Sequence, residues 1–128
     1  MGTFNSLIDA KFSPPRNWIL DTPLKFNSEE LCDEGQKLFK KCGVKITKAN
    51  VITAPKGYIT DFASIPRFCW GFIAPFDIAR AAVIHDVLYE KVNGAFEQDK
   101  ITKQQKKIAR KYADYTFREA MQSAEPEV

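Results

Sequence analysis

Residues 77–92 place the strongest constraint on the fold, because they combine helical spacing of apolar side chains with very little polar surface. The apolar side chains of this predicted helix are Ile78, Ala81, Ala82, Ile84, Leu88 and Tyr89. A helix that is apolar on most sides is stable in water only when other elements cover it. We therefore expect a helix that is capped by Asp77, ends at Asn93 and Gly94, and is buried at the centre of the fold.

The rest of the chain alternates short strand patterns with two further helices. Strand patterns occur at residues 18–20, 24–26, 44–46, 51–52 and 58–59, with turns at residues 21–23, 48–50 and 55–57. Asn27 can cap a helix that continues through Cys42 and stops at Gly43. Thr102, with Gln105 three residues later, begins a last helix that extends to about residue 122.

These elements predict a single α+β domain over residues 1–128, a length typical of one domain. Short connections between the strands favour antiparallel pairing. We expect a small antiparallel sheet packed against two long helices. The helix within residues 27–43 is expected to be a peripheral insertion, and residues 123–128 a tail.

Charge and cysteine content exclude several classes of protein. The chain has 19 Lys and Arg against 16 Asp and Glu, a net charge of +3, and the excess lies in residues 100–128. This charge is small for a nucleic-acid-binding surface, so we disfavour nucleic acid as a partner and favour a solvated helix face. The sequence has no zinc-type Cys/His spacing, no phosphate-binding glycine loop and no dinucleotide fingerprint. Three cysteines without Cys-x-x-Cys spacing indicate free thiols.

No segment of the sequence predicts a membrane span. The longest nearly uncharged run, residues 68–78, is too short to cross the hydrocarbon core of a bilayer, and it contains Asp77. The first residues lack the basic and apolar stretches of a secretory signal. We therefore expect a cytosolic protein.

His85 is the only histidine, and it falls in the middle of the apolar face of the central helix. A polar ring in that position needs a hydrogen-bond partner. Two interpretations are open. His85 is either a core histidine satisfied by a backbone carbonyl or a carboxylate, or a general base or metal ligand.

Two polar side chains accompany His85 on the same helix. Tyr89 lies one turn later on the same side, so its hydroxyl could hold the ring, or its ring could only add bulk to the core. Asp86 points about 100° away from His85. It could be a ligand of a divalent cation or simple helix surface.

Two further candidates lie in the connector before the central helix. Asp61 and Ser64 have the types and spacing that cap a helical turn beginning near Ile65. A carboxylate at the end of a strand is also where an imidazole would find its orienting partner, so Asp61 could hold His85. Ser64 is the weaker candidate, as a nucleophile, because no glycine-flanked turn surrounds it.

Asp114, on the last helix, has two interpretations. Arg110 and Arg118 lie four residues before and after it, which is typical of an exposed ion-pair face. Phe117 and Met121 border the same stripe and would be oddly placed if it faced only water. Periodicity leaves both interpretations open.

Three segments together resemble a small family of bacteriophage and prophage proteins of uncharacterised function. The segments are PKGYITDFASIPR at residues 55–67, HDVLY at residues 85–89 and ADYTFREAM at residues 113–121. They follow the family pattern P-x-G-[FY]-x-T-D-x-A-S-I-P-R, H-D-x-L-Y and A-D-x-x-F-x-x-A-M. The resemblance implies phage origin and a shared polar set of Asp61, Ser64, Arg67, His85, Asp86, Tyr89 and Asp114, in which Arg67 is a binding residue. It also implies that Asp114, Phe117 and Met121 point inward.

His85, Asp86 and Tyr89 also resemble the helix motif of secreted calcium-dependent phospholipases. In those enzymes the histidine activates water, the next aspartate binds calcium, and an aspartate on a facing helix holds the histidine. The resemblance implies that Asp114 is the aspartate that holds His85. This chain lacks their glycine-rich calcium loop and their disulfides, so only the geometry is carried over.

These residues support two classes of function. The first is a phage accessory or virion-associated protein, in which the cluster is a buried latch between helices. Its partners would be phage structural proteins or a host protein, and it would be found in the virion or the host bacterial cytoplasm. The second is a small hydrolase with His85 as general base, Asp61 or Asp114 orienting it, and Asp86 holding a divalent cation. The sequence favours the first class, and both require an imidazole sequestered between helices and contacted by acidic side chains.

Overall fold

The computed structural model of this chain describes residues 2–5, 10–13, 17–60 and 75–123. In chain order the elements are β1 (Thr3–Phe4), β2 (Ala10–Ser13), β3 (Asn17–Leu20), β4 (Leu24–Asn27), α1 (Asp33–Lys41), β5 (Val51–Ala54), β6 (Ile59–Thr60), α2 (Pro75–Glu97) and α3 (Lys103–Ser123). Small antiparallel sheets are thus combined with two long helices and a shorter one. The predicted α+β class is confirmed.

The strands form two three-stranded sheets, where the sequence suggested one. β4 lies between β1 and β5 in the first sheet, and β3 lies between β2 and β6 in the second, with every pair antiparallel. β3 and β4 therefore belong to different sheets although only residues 21–23 join them. The first sheet packs against α2 and contributes the fully buried side chains of Phe26 and Ile52 to the core.

Residues 44–59 contain two strands and one isolated bridge. β5 and β6 do not pair with each other, and Ile46 forms only a single antiparallel bridge with Ile52. The turns expected at residues 48–50 and 55–57 are both present. Asn50 and Gly57 adopt the left-handed backbone conformation there, with φ angles of 62° and 84°.

α2 is the centre of the fold, as predicted. Its buried apolar side chains are Ala81, Ala82, Val83, Ile84, Val87, Leu88, Val92 and Ala95. The first sheet, α1 and α3 all pack against it. The core therefore forms around α2.

The predicted ends of this helix are wrong, because α2 begins at Pro75, before the predicted cap Asp77, and continues past Asn93 and Gly94. Buried Ala95 and partly buried Phe96 continue its apolar face, and this packing outweighs the weak helix propensity of the two residues before them. The chain leaves the helix at Asp99, whose φ of 58° closes a Schellman motif. In that motif the N–H of the following residue donates to the Ala95 carbonyl over 2.9 Å.

The start predicted for α1 is wrong and its end is right. Asn27 is the last residue of β4, where it pairs with Val51, so it cannot cap a helix. Cys32 is the residue that caps α1. At the other end Gly43, with a φ of 90°, and the N–H of Val44 complete a Schellman motif, as the glycine predicted.

The capping box predicted for α3 is confirmed. The N–H of Thr102 donates to Oε1 of Gln105 over 2.9 Å, and the N–H of Gln105 donates to Oγ1 of Thr102 over 3.1 Å. α3 then extends to Ser123, one residue beyond the expected end. Within the described ranges of the chain, no helix has both the length and the apolar character needed to cross a membrane.

A buried carboxylate fastens the segment after β4 to α3. Glu119 is 3% exposed, and its Oε1 accepts a hydrogen bond from Oγ of Ser28 over 2.5 Å. Its Oε2 accepts bonds from the backbone N–H groups of Glu29 and Glu30 over 2.8 and 3.3 Å. These bonds hold the chain between the first sheet and α1 in place.

We predict that Glu119→Ala lowers the free energy of unfolding by about 3 kcal/mol, because it leaves the buried hydroxyl of Ser28 and two partly buried backbone N–H groups without an acceptor. The measurement is urea denaturation followed by far-ultraviolet circular dichroism. Glu90→Ala, at an exposed position of α2, is the matched control and should change stability by less than about 0.5 kcal/mol. Equal stabilities of the two variants would contradict this role of Glu119.

Candidate functional site

The polar cluster lies where α2 packs against α3. The side chain of His85 points from the middle of α2 toward α3 and is 12% exposed. Its Nε2 atom lies 2.9 Å from Oδ1 of Asp114. Because an ionised carboxylate can only accept, Nε2 carries the hydrogen and donates it. The prediction of a sequestered imidazole contacted by an acidic side chain from a distant part of the chain is confirmed.

Tyr89 binds the same carboxylate oxygen from one turn farther along α2. Its hydroxyl donates to Oδ1 of Asp114 over 2.7 Å, and its ring packs on the His85 ring with centroids 4.3 Å apart. Of the two interpretations of Tyr89, the one in which its hydroxyl makes a hydrogen bond within the cluster is closer to the structure. The hydroxyl holds the carboxylate, however, and not the imidazole.

Asp114 matches neither of its two interpretations fully. Among the described residues, the Asp114 carboxylate pairs with His85, and not with Arg110 or Arg118. Phe117 does point inward, and its ring centroid lies 4.5 Å from that of His85. Asp114 itself is 58% exposed and Met121 is 39% exposed, so the implication that all three point inward is wrong for these two. Asp114 lies at the edge of the helix interface, where one oxygen reaches inward while water covers much of the side chain.

Electrostatics keep Tyr89 in its neutral, donating form. Burial raises the pKa of Tyr89, and the hydrogen bond to Asp114 and the negative charge of that carboxylate raise it further, to about 12. The phenol is therefore protonated throughout the physiological range, and the bond to the carboxylate persists there.

This arrangement fits the imidazole for acid–base chemistry. A neutral imidazole with its hydrogen on Nε2 has its basic lone pair on Nδ1. The bond from Nε2 to Asp114 fixes the orientation of the ring and stabilises the positive imidazolium that forms when Nδ1 takes up a proton. Asp114 and Tyr89 are therefore positioning residues for the His85 ring.

Four other residues were predicted for the site, and only one of them, Asp86, lies in the described part of the chain. Asp61, Ser64 and Arg67 lie within residues 61–74, outside the described part of the chain, so their roles stay predictions. Asp86 is half-buried on α2. Across the described ranges no group of three His, Cys, Asp or Glu side chains could hold a metal ion, so the cation-binding role of Asp86 also stays a prediction.

A groove of about 750 Å³ opens beside the cluster, between the second half of α2 and the first half of α3. We call it the basic groove, because its walls include Lys103, Lys106, Lys107, Arg110 and Lys111. Tyr89 and Asp114 also line it. A molecule in the basic groove would therefore contact the exposed side of the polar cluster.

Sequence reasoning missed the buried carboxylate of Glu119. Its position on α3 did carry a signal, because Glu119 falls on the stripe formed by Ala109, Ala113, Thr116 and Ala120. A charged residue on an otherwise buried stripe needs a partner. The same argument singled out His85 on α2.

We predict that Tyr89→Phe removes a contribution to stability that depends on pH. Because the folded-state pKa of about 12 lies above the ordinary value of 10.0, the bond to Asp114 stabilises the fold fully below pH 10 and this contribution is lost as the pH rises toward 12. Urea denaturation of the wild type and the variant at a series of pH values measures the difference. A difference that stays constant up to pH 12, or is lost well below pH 10, would contradict the assignment.

Comparison with known proteins places the chain in a family. A family model described as a protein of unknown function, DUF1353, matches residues 36–128, which is most of the chain. No curated protein and no solved structure matches it. The matched range contains α2 and α3 entirely, and with them the three residues of the polar cluster. The chain therefore belongs to the DUF1353 family of proteins of unknown function.

Proposed function

We propose that this protein is a phage- or prophage-encoded hydrolase in which His85 is the general base. One observation carries the proposal: Oδ1 of Asp114 accepts a bond from Nε2 of His85 over 2.9 Å and another from the hydroxyl of Tyr89 over 2.7 Å. An aspartate on a facing helix that holds the histidine is the geometry implied by the resemblance to calcium-dependent phospholipases. Three sequence segments resemble a family of bacteriophage and prophage proteins. This resemblance supports phage origin and, with it, a place in the virion or the host cytoplasm.

Exposure to solvent distinguishes this cluster from a purely structural latch. On α3, Glu119 is 3% exposed and all of its bonds serve to fasten one segment to another. Asp114 is 58% exposed and lines the basic groove. A latch is strongest when water is excluded from it, whereas a site of chemistry must admit a substrate. The geometry therefore favours the hydrolase over an accessory protein with a structural cluster.

In the proposed reaction, water attacks the electrophilic atom of an ester bond. The imidazole of His85 takes a proton from the water as the new bond to oxygen forms, and the imidazolium returns the proton to the leaving oxygen when the ester bond breaks. Asp114 stabilises the imidazolium between these steps, and Tyr89 keeps Asp114 in position. Water is the only co-reactant.

A divalent cation is the cofactor that the sequence suggested, with Asp86 as a ligand. Such a cation would stabilise the negative charge that develops on the attacked group. The described residues offer Asp86 but no group of three possible ligands, so no step of the reaction is assigned to a metal.

We predict that His85→Gln and Asp114→Asn each lower the rate of hydrolysis by about 10²- to 10⁴-fold. The glutamine amide can still donate to Asp114 but cannot act as a base, and the asparagine can still accept from Tyr89 but cannot stabilise an imidazolium. The assay uses a panel of carboxylic and phosphodiester substrates with the purified chain, with and without a chelator. Because Asp114 is 58% exposed, the hydrogen-bonded pair is only partly buried, and both variants should stay folded, with losses of about 1–2 kcal/mol.

Glu90→Gln, on the exposed face of α2, is the matched control and should keep the wild-type rate. Wild-type protein that hydrolyses no member of the panel would overturn the proposal. So would hydrolysis that persists in folded His85→Gln. If both cluster variants unfold and the wild type is inactive, the cluster is a latch and the protein is the accessory protein that the sequence favoured.

A further inference from the structure

We infer that the basic groove binds a phosphate group of the substrate beside the polar cluster, whose Tyr89 and Asp114 line the groove. This inference rests on the proposed function, which it extends to a class of substrate: small phosphate esters, either soluble or part of a lipid headgroup. The groove has a volume of about 750 Å³, which is the size of a site for a small molecule.

The basic side chains of the groove repel one another in the free protein. Lys103, Lys107 and Lys111 follow one another at four-residue spacing on α3, where like charges repel. The first turn of α3 holds no acidic residue, so the positive end of the helix dipole adds to the repulsion. In the described part of the chain, none of the five basic side chains lies within 4.0 Å of a carboxylate oxygen. A bound anion would relieve this repulsion.

Aromatic contacts hold two of these cations in place. The Nζ atom of Lys106 lies 4.4 Å from the centre of the Phe96 ring, and the guanidinium carbon of Arg110 lies 5.6 Å from the centre of the Tyr89 ring. Nη2 of Arg110 also donates to Oδ1 of Asn93 over 2.7 Å. The side chains that would contact the anion are thus partly ordered before it binds, which lowers the entropic cost of binding.

One hydrogen-bond donor of the Arg110 side chain lacks an acceptor. Its Nε is buried and has no hydrogen-bond partner among the described residues. A guanidinium presents several donors in a fixed plane, a geometry that matches the oxygens of a phosphate. A phosphate oxygen reached by a small shift of this side chain would supply an acceptor that the described protein does not.

The size of the basic groove favours a small ligand over nucleic acid. The five cations span residues 103–111, which is about 12 Å along a helix. Nucleic-acid surfaces extend over many phosphates and produce a steep dependence on salt concentration. Asp114 also lines the groove, and its negative charge would repel a continuing chain of phosphates.

The test uses inorganic phosphate as the probe and backbone amide chemical shifts of the full chain as the readout. We expect phosphate to shift the amides of residues 103–114 at constant ionic strength. Lys103→Gln/Lys107→Gln should weaken this binding about tenfold, since the loss of two exposed charge contacts is worth about 1.4 kcal/mol. Lys40→Gln/Lys48→Gln removes the same charge from exposed positions elsewhere and should bind phosphate as the wild type does.

Two further binding experiments distinguish a lipid headgroup from a soluble phosphate ester as the ligand. Preferential binding of phosphatidylglycerol vesicles over phosphatidylcholine vesicles, lost in Lys103→Gln/Lys107→Gln, would assign the groove to a lipid headgroup. Binding of a soluble phosphodiester alone would assign it to a soluble ester. Duplex DNA that binds through the same residues far more tightly than either, with a steep salt dependence, would overturn the inference.

The inference and the proposed function fail in different ways. If phosphate does not shift the groove amides, or shifts them equally in both double variants, the inference is wrong even when hydrolysis depends on His85. If phosphate binds the groove but the wild type hydrolyses nothing, the proposed function is wrong and the anion site remains. In the active protein, the groove variant should raise KM and leave kcat nearly unchanged.

Discussion

The near-complete burial of α2 is the constraint on which the rest of the structure depends. Residues 81–84 are each 0% exposed, so the first sheet, α1 and α3 must all pack around this helix. A histidine on such a helix has to be satisfied by a neighbouring element, and α3 supplies Asp114 for that purpose. The position of the polar cluster is therefore a consequence of how α2 and α3 pack. Any change that separates these helices would also dismantle the candidate site.

α3 carries two carboxylates with different tasks. Asp114 and Glu119 are five residues apart, which places them about 140° apart around a helix. Glu119 faces the segment after β4 and is enclosed by backbone donors, whereas Asp114 faces His85 and the basic groove. On this one helix, Glu119 therefore stabilises the fold and Asp114 belongs to the candidate site. This separation allows each to be altered with limited effect on the other.

Features that depend on local sequence could be predicted, and features that depend on distant contacts could not. The apolar pattern of α2, the capping box at Thr102 and the turn at Gly43 were all predicted from neighbouring residues. Asn27 was assigned to a helix because its pairing with Val51 cannot be recognised locally. Local sequence likewise predicts a helix end at Gly94, because the burial of Ala95 in the core, which extends the helix past Gly94, depends on distant residues.

The same distinction applies to the candidate site. His85 could be identified because a lone polar ring on an apolar face needs a partner, and the family resemblance pointed to Asp114. The lysines of α3 were interpreted as a solvated face, because the sequence does not show that Phe96 and Tyr89 form the opposite wall of a groove. The charge spacing around Asp114 predicts an exposed side chain, as the structure has it, but it does not predict that one carboxylate oxygen reaches inward to His85.

The most direct test of the central claim is nitrogen-15 NMR of the imidazole. His85 is the only histidine in the chain, so its ring signals need no assignment by mutation. At alkaline pH, where the ring is neutral, the bond to Asp114 predicts a hydrogen on Nε2 that exchanges slowly with water, together with an unprotonated Nδ1. A ring with its hydrogen on Nδ1, or one whose two tautomers interchange freely, would contradict the account.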